Sequence, residues 1–456
     1  MHAGELKQNA AAQLTRADFG PGFVWGCSTS AFQIEVAAVQ GGRVDSIWDT
    51  FCRQRGAIRD ASNADTACDH YHRWEQDLDL AASLGVTAYR FSIAWPRIYG
   101  DGSDAPNPAG LDLYSRLVDG MLARGLGPWA TLYHWEFAAN AAGRRRLGQP
   151  PHHRRLRALR RSGDALPWQP GQALDHAQRA VVYGVPRPSG RQPRTRHPGP
   201  RHRHSGSAQR HGVARPRPAS HPRQCARRAG RHYVESSSAA PGHRQRCRYR
   251  RVRTARRLAQ PLVPRSLVRA RLPRENCRGP RRRSPVVAPG DMELIAQTTD
   301  FLGVNCYFPK VVVNAPGAGA LDVCVVQNED VERTAFEWEV SPGAMVTLLE
   351  HVRTEYRAGP MYLTENGSSY DDVPGPNGHI DDVLRRSYLQ RHLAALHQAL
   401  GLGVPVKGYF YWSLIDNFEW AEAYARRFGL AYVDYATQQR RLKSSGRWYQ
   451  SFLAKG

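Results

Sequence analysis

Apolar residues recur at helical spacing in the first third of the chain, and a glycine and a short apolar run follow them. Residues 74–84 carry apolar residues at positions 78, 81, 82 and 84, which is the spacing of one helix face. Gly85 stands where a helix usually ends. Residues 86–93 then combine β-branched and aromatic residues, so the pattern predicts a helix followed by a buried strand.

The same order occurs again immediately downstream. Residues 111–123 place their apolar side chains on one helical face, Gly125 follows, and residues 126–133 read as a second buried strand. A helix, a glycine and a buried strand, repeated, is typical of parallel βα units.

The pattern returns after residue 288. Strands are predicted at 300–306, 361–364 and 406–412, and helices at 346–356 and 384–400. The chain of 456 residues is long enough for one elaborated (β/α)8 barrel, which is the fold class that the alternation favours. Catalytic residues of such barrels lie at the carboxyl ends of the strands. Five polar or aromatic residues occupy such positions, namely Arg90, His134, Asn305, Glu365 and Trp412.

Residues 137–285 show no apolar periodicity longer than one turn. Within 141–290 there are 38 Arg, no Lys and four acidic residues, a net charge of +34. The whole chain carries +24, so the remainder carries −10, which is ordinary for a soluble enzyme. The strongly basic balance therefore belongs to one segment and not to the protein as a whole.

Two explanations fit this basic segment. An Arg-rich disordered insert could bind nucleic acid or another polyanion, although no aromatic interleaving or reading module accompanies the arginines. Alternatively, a GC-rich coding strand read in the wrong frame gives Arg, Pro, Ala, Gly and His in such proportions. The absence of Lys among so many basic residues favours the second explanation.

Seven segments outside this stretch resemble family 1 glycoside hydrolases, the β-glucosidase family. They are FGPGFVWGCSTSAFQIE, SIWDTFC, ACDHYHRWEQDLDLAASLGVTAYRFSIAWPRI, TLYHW, DFLGVNCY, YLTENG and GYFYWSLIDNFEWAEAY-RRFGLAYVDY. They cover roughly residues 19–136 and 288–453 in the family's order. The resemblance implies a single (β/α)8 domain over residues 17–456, after a tail at 1–16, interrupted by the segment at about 137–285.

The resemblance also tests the wrong-frame explanation. The family's TLNEP segment should follow the His-Trp pair, and it is absent from the sequence. Shifting the frame, the degenerate code permits LGNRVKHWTTLNEPWCT at 167–184, NRWFLDPLF at 260–268 and LPQ at 137–139. Three family segments in one frame at family spacing predict an inserted base near Glu136, with the frame recovering near 278–286.

The resemblance implies site roles for ten residues. Glu365, in TENG, matches the nucleophile of a retaining glycosidase, with Arg90 lowering its pKa and Tyr307 hydrogen-bonding it. The implied sugar-binding residues are Gln33, His134, Asn305, Trp412, Glu419, Trp420 and Phe428. Trp412 would form the platform beneath the ring and Phe428 part of the wall.

The acid/base carboxylic acid of a retaining enzyme has no counterpart. In the shifted frame it would straddle the codons of Arg179 and Ala180, so neither can replace it. Loss of general acid–base catalysis typically costs about 10²–10⁴-fold in rate. We therefore expect a β-glucosidase that is impaired as written; the alternative is an inactive chimera whose basic middle binds polyanions.

The sequence also gives expectations about the substrate, cofactors, cysteines and location of the protein. The family resemblance implies a small β-glucoside or oligosaccharide as substrate and no cofactor or metal, and we expect no specific nucleic acid. The eight Cys show no metal-ligand spacing, which is typical of free thiols in a reducing compartment. No long apolar run or secretory h-region is visible, so we expect a cytoplasmic protein without a membrane span.

Overall fold

The computed structural model describes residues 14–100, 105–139, 181–183, 289–290, 299–315 and 323–455. Its centre is a sheet of seven strands in the order β3-β2-β1-β9-β8-β5-β4, and every neighbouring pair is parallel. The strands are β1 (Val24–Ser28), β2 (Ala88–Ser92), β3 (Gly127–Thr131), β4 (Val181–Tyr183), β5 (Leu302–Asn305), β8 (Met361–Asn366) and β9 (Val406–Trp412).

Eight α-helices and two hairpins complete the described part of the chain. The helices are α1 (Ala31–Ile34), α2 (Ile47–Cys52), α3 (His70–Ser83), α4 (Trp95–Ile98), α5 (Pro108–Ala123), α6 (Pro342–Tyr356), α7 (Val383–Gly401) and α8 (Ser444–Ala454). The hairpins pair β6 (Val311–Asn314) with β7 (Val323–Val326) and β10 (Ala431–Asp434) with β11 (Gln439–Leu442). Short 3₁₀ turns lie at Arg16–Phe19 and Trp420–Glu422.

The two halves of the sequence meet where β1 pairs with β9. The register runs from Val24 opposite Gly408 to Ser28 opposite Trp412. Around this seam Trp25, which is fully buried, contacts Phe19, Phe23 and Phe452 edge-on or tilted. One core is therefore built from the first and last segments of the chain, which requires both resembling regions to fold together.

Three predicted helices begin earlier than their apolar stripes. α3 begins at His70 and not at 74, α5 at Pro108 and not at 111, and α6 at Pro342 and not at 346. The first turn of each carries polar residues or a proline, which do not contribute to an apolar face. Proline at the first helical position has a preset φ and loses no hydrogen bond, so the first turns of α5 and α6 are helical although they do not continue the apolar stripe.

One strand of the sheet comes from the stretch 137–285, whose sequence does not read as barrel sequence. Val181–Tyr183 forms β4, which pairs in parallel with β5 from Val181 opposite Leu302 to Tyr183 opposite Val304. Val-Val-Tyr is β-branched and aromatic, and three residues are too few for periodicity to detect. Arg179 and Ala180, where the acid/base codons were predicted, lie outside the described residues.

The start of this stretch is also attached to the described fold. The Ile47 amide donates to the Phe137 carbonyl at 2.8 Å, and the Ala139 amide donates to the Asp45 carbonyl at 2.7 Å. No helix within the described ranges has the length and apolar character needed to cross a membrane.

Candidate active site

Glu365 is the penultimate residue of β8, at the edge of the sheet where the carboxyl ends of the strands meet the loops. Its side chain is 8% exposed. The guanidinium of Arg90, on β2, donates from Nη1 to Oε1 at 2.8 Å, and the Tyr307 hydroxyl donates to Oε2 at 2.8 Å. Both carboxylate oxygens are therefore engaged by donors that come from two other parts of the chain.

The surroundings keep this carboxyl ionised. Burial raises the pKa of Glu365, but the positive charge of Arg90, the nearby His134 and the two hydrogen bonds act in the opposite direction and prevail. The net result is a pKa below the ordinary value for glutamate. A buried carboxylate that stays charged and has a fixed orientation is suited to nucleophilic attack.

A second polar group lies between β1 and the segment after β9. Gln33, on α1, donates from Nε2 to Asn417 Oδ1 at 2.9 Å and to Glu419 Oε2 at 3.0 Å. The Ser30 hydroxyl in turn donates to Gln33 Oε1 at 2.7 Å, which fixes the amide orientation. All four side chains are buried, so the predicted pair Gln33 and Glu419 is held rigidly.

Three aromatic rings share nearly one orientation beside these polar groups. The His134 ring is parallel to that of Trp412 within 1°, with centroids 5.7 Å apart, and to that of Trp420 within 9°, at 6.1 Å. Phe428 packs with Trp412 and Trp338 in a separate apolar cluster, and its ring lies 6.3 Å from that of Tyr307. Flat apolar walls beside amides and carboxylates suit a neutral sugar ring.

Asn305 completes the predicted set at the end of β5. Its Oδ1 accepts from the Thr364 hydroxyl at 2.8 Å, so it is tied to the residue that precedes Glu365. Each of the ten predicted site residues therefore contacts at least one other, directly or, for Asn305, through Thr364.

Several supporting residues were not predicted. Asn417 holds Gln33, and Trp338 packs against Phe428; Asn366 donates to the Cys306 carbonyl and accepts from the Tyr409 hydroxyl. Asn366 and Asn417 stand inside TENG and LIDNFEW, so only their place in these motifs could have indicated them. Trp338 lies in a loop where a single Trp gives no signal in one sequence.

Glu136, at the start of the basic stretch, is a second buried carboxyl with different surroundings. It is 1% exposed, and neither of its oxygens has a hydrogen-bond partner among the residues that the structure describes. Burial raises its pKa to about 8, partly opposed by Arg43 and reinforced by Glu35 and Asp49. Arg43 and Asp49 form an ion pair with each other, and all three neighbours differ from the groups that act on Glu365.

No group of His, Cys, Asp or Glu arranged to hold a metal ion is found in the part of the chain that the structure describes. Five cysteines in that part are free, four of them buried.

Comparisons with known proteins agree with this arrangement. The sequence model described as glycosyl hydrolase family 1 matches residues 15–142 and 238–456. β-Glucosidase A of Thermotoga maritima is 34% identical over 452 residues, covering 95% of this chain and 97% of its own. The β-glucosidase of an Agrobacterium species is 36% identical, covering 96% of each.

Solved structures give the same result. A family 1 β-glucosidase from Thermotoga maritima superimposes with a TM-score of 0.76 at 30% identity, covering 96% of this chain and 98% of that one. A psychrophilic β-glucosidase from Micrococcus antarcticus gives 0.75 at 29% identity, covering 98% of both. The fold is the predicted (β/α)8 barrel, and the chain belongs to glycosyl hydrolase family 1, a family of glycosidases.

Proposed function

We propose that this chain is a retaining β-glucosidase in origin, hydrolysing terminal β-D-glucosyl residues through a covalent intermediate on Glu365. The observation that carries the proposal is the Glu365 carboxylate, buried at the end of a barrel strand and held charged by Arg90 and Tyr307. The curated relatives are named β-glucosidases, which favours glucosides as substrates.

The proposed first step is attack on the anomeric carbon. A Glu365 oxygen forms a bond to that carbon, and the glycosidic C–O bond breaks with its electron pair leaving on the aglycone oxygen. Arg90 and Tyr307 keep the carboxylate ionised and oriented before the attack. In the second step water forms a bond to the anomeric carbon as the bond to Glu365 breaks, and the proton that water loses neutralises the departed aglycone oxygen; the original configuration is restored and the sugar is freed.

We assign sugar binding to the groups around Glu365. Gln33, His134, Asn305 and Glu419 offer hydrogen bonds to hydroxyl groups, and Trp412, Trp420 and Phe428 supply apolar faces. A rigid, mostly prearranged pocket of this kind loses less conformational entropy when substrate binds.

In the chain as written, we expect the departure of the aglycone oxygen to be the step that is impaired. A retaining enzyme needs a second carboxyl group about 5–5.5 Å from the nucleophile to protonate it. We propose that this acid is lost because residues from about 137 to about 285 are encoded out of frame. The family match passes over 143–237, inside that stretch, which supports this explanation.

Two substrates and two chains test the proposal. Dinitrophenyl β-glucoside has a leaving group that needs little protonation, whereas cellobiose needs full acid assistance. We expect the chain as written to retain more activity on the first, and a frame-restored chain to gain about 10²–10⁴-fold on the second. A restored chain whose activity survives Glu365→Ala would contradict the proposal.

The 38 arginines within residues 141–290 favour a second candidate function, which is polyanion binding. If the basic stretch is a polyanion-binding insert, the full chain should bind a mixed-sequence DNA duplex with an affinity that falls steeply as salt rises. We favour the glycosidase, because non-specific binding of this kind is expected of any Arg-rich segment. In either case we expect a cofactor-free, cytoplasmic protein.

A further inference from the structure

Two loops adjoin Glu365 and three of the predicted sugar-binding residues. The β8 loop, residues 367–372, directly follows Glu365 and Asn366, and the β9 loop, residues 413–430, contains Glu419, Trp420 and Phe428. Because neither loop belongs to the sheet, strand pairing alone does not fix the distance between them.

The two loops touch through their backbones. A Cβ atom at Gly367 would lie only 1.9 Å from the Trp412 carbonyl oxygen, so the β8 loop passes directly against the end of β9. Further along, the Tyr370 amide donates to the Arg427 carbonyl at 3.3 Å in an isolated antiparallel bridge. The loops are therefore close enough for one side chain to reach both.

Lys443 is such a side chain. It stands between β11 and α8, and its ammonium donates to Asp372 of the β8 loop at 2.5 Å and to Asp416 of the β9 loop at 2.6 Å. The three side chains are at most 2% exposed. The Lys443 amide also donates to the carbonyl of Leu430, the last residue of the β9 loop, at 2.9 Å.

The charges around this ammonium are balanced, and Arg385 also joins the two loops by donating to the backbone carbonyls of Ser368 and Arg427. Arg385, on α7, pairs with Asp372 at 2.7 Å and with Asp382 at 2.5 Å, and Arg427 pairs with Asp416 at 2.7 Å. Three cations thus face three carboxylates, and of these cations only Lys443 has ion pairs to both loops.

We propose that Lys443 is a positioning residue that holds the β8 loop and the β9 loop at the spacing that sugar binding and attack require. The effect on the sugar rests on the proposed function. Without the ammonium, the carboxylates of Asp372 and Asp416 would repel each other in a buried site, where charges interact strongly. The loops would then separate, and Glu419 and Trp420 would move relative to Glu365.

Hydrogen exchange in the full chain tests the spacing itself. We expect Lys443→Met to increase exchange in peptides covering 367–372 and 413–430. Arg440→Met is the matched control, since Arg440 is equally buried and pairs with Asp77 on α3, outside both loops. Unchanged exchange in both loops, or the same increase in the control, would overturn the proposal.

The rate of covalent labelling of Glu365 measures how the spacing of the two loops affects nucleophilic attack. With 2,4-dinitrophenyl 2-deoxy-2-fluoro-β-glucoside, whose leaving group needs little acid, we expect Lys443→Met to slow labelling of Glu365 by about 10–100-fold. Arg440→Met should stay within about twofold. A parent chain that is not labelled would count against the proposed function, whereas the exchange experiment would still decide the role of Lys443.

A second variant separates positioning from folding. Asp372→Asn combined with Lys443→Met removes one charge of each sign, so the buried group remains balanced if the single variant fails to fold. We expect this double variant to fold, yet to show raised exchange in both loops and slow labelling. A folded double variant with parent-like exchange and labelling would overturn the proposal.

Discussion

Glu365 and Glu136 are both buried carboxyl groups near the carboxyl ends of strands, but their surroundings are opposite. Glu365 receives one hydrogen bond on each oxygen, and its pKa is lowered although burial acts to raise it. Glu136 receives none from the described residues, and burial raises its pKa to about 8. The difference shows that burial alone does not set the charge of a carboxyl; the donors that converge on it do.

The two groups also differ in their position along the sequence. Glu365 lies inside the family-like segment YLTENG, whereas Glu136 directly follows the segment TLYHW, at the start of the stretch without apolar periodicity. The contrast supports the frame change that we propose near this residue.

The largest expected effect comes from removing the carboxylate of Glu365. In the frame-restored chain, Glu365→Gln should lower the hydrolysis of dinitrophenyl β-glucoside by roughly 10⁴-fold or more, because no other group can form the intermediate. Initial rates on purified protein measure this. Glu136→Gln, made and measured in the chain as written, is the paired control, and a comparable fractional loss there would remove the distinction between the two carboxyls.

Removing the cation beside Glu365 should make it resemble Glu136. With Arg90→Met, burial is no longer opposed by that charge, so the pKa of Glu365 should rise by about 1–3 units. Since the nucleophile must be ionised, the acidic limb of the pH–rate profile should move to higher pH. The rate at neutral pH should fall by about 10²-fold. An unmoved acidic limb would show that Arg90 does not set this pKa.

Changing Glu136 should affect stability and its pH dependence. A raised folded pKa means that the folded state holds a proton that the unfolded state releases, so stability declines as pH rises from about 4.5 to about 8. Glu136→Gln removes this titration and should stabilise the chain by about 1–3 kcal/mol above pH 8. Urea unfolding at pH 5 and pH 9 measures it; an equal pH dependence in both proteins would mean that Glu136 has a partner.

The smallest effect is expected at Tyr307. Tyr307→Phe removes one of the two hydrogen bonds to Glu365 but leaves Arg90 in place. We expect a rate loss of about tenfold, the size of one hydrogen bond to a charged group, and a small upward shift of the acidic limb. A rate loss as large as that of Arg90→Met would mean that the Tyr307 hydroxyl contributes as much as the Arg90 guanidinium to keeping Glu365 ionised, unlike Glu136.

The barrel elements were predictable because each repeats a local pattern. Buried parallel strands are apolar on both faces and their helices have one apolar stripe, so strands such as β9 were located from residue types alone. The extra first turns of α3, α5 and α6 were not, since their polar residues and prolines do not follow the stripe. Strand β4 was missed because three residues carry too little pattern.

Among the site residues, the motifs determined which side chains to consider, and the tertiary structure decided how they meet. Sequence and family resemblance pointed to Glu365, Arg90 and Tyr307, because short motifs preserve residue type and order. The pairing of Lys443 with Asp372 and Asp416, and the isolation of Glu136, were not visible in the sequence. Such contacts join residues that are distant along the chain, so only the folded arrangement determines which charges become neighbours and which remain unpaired.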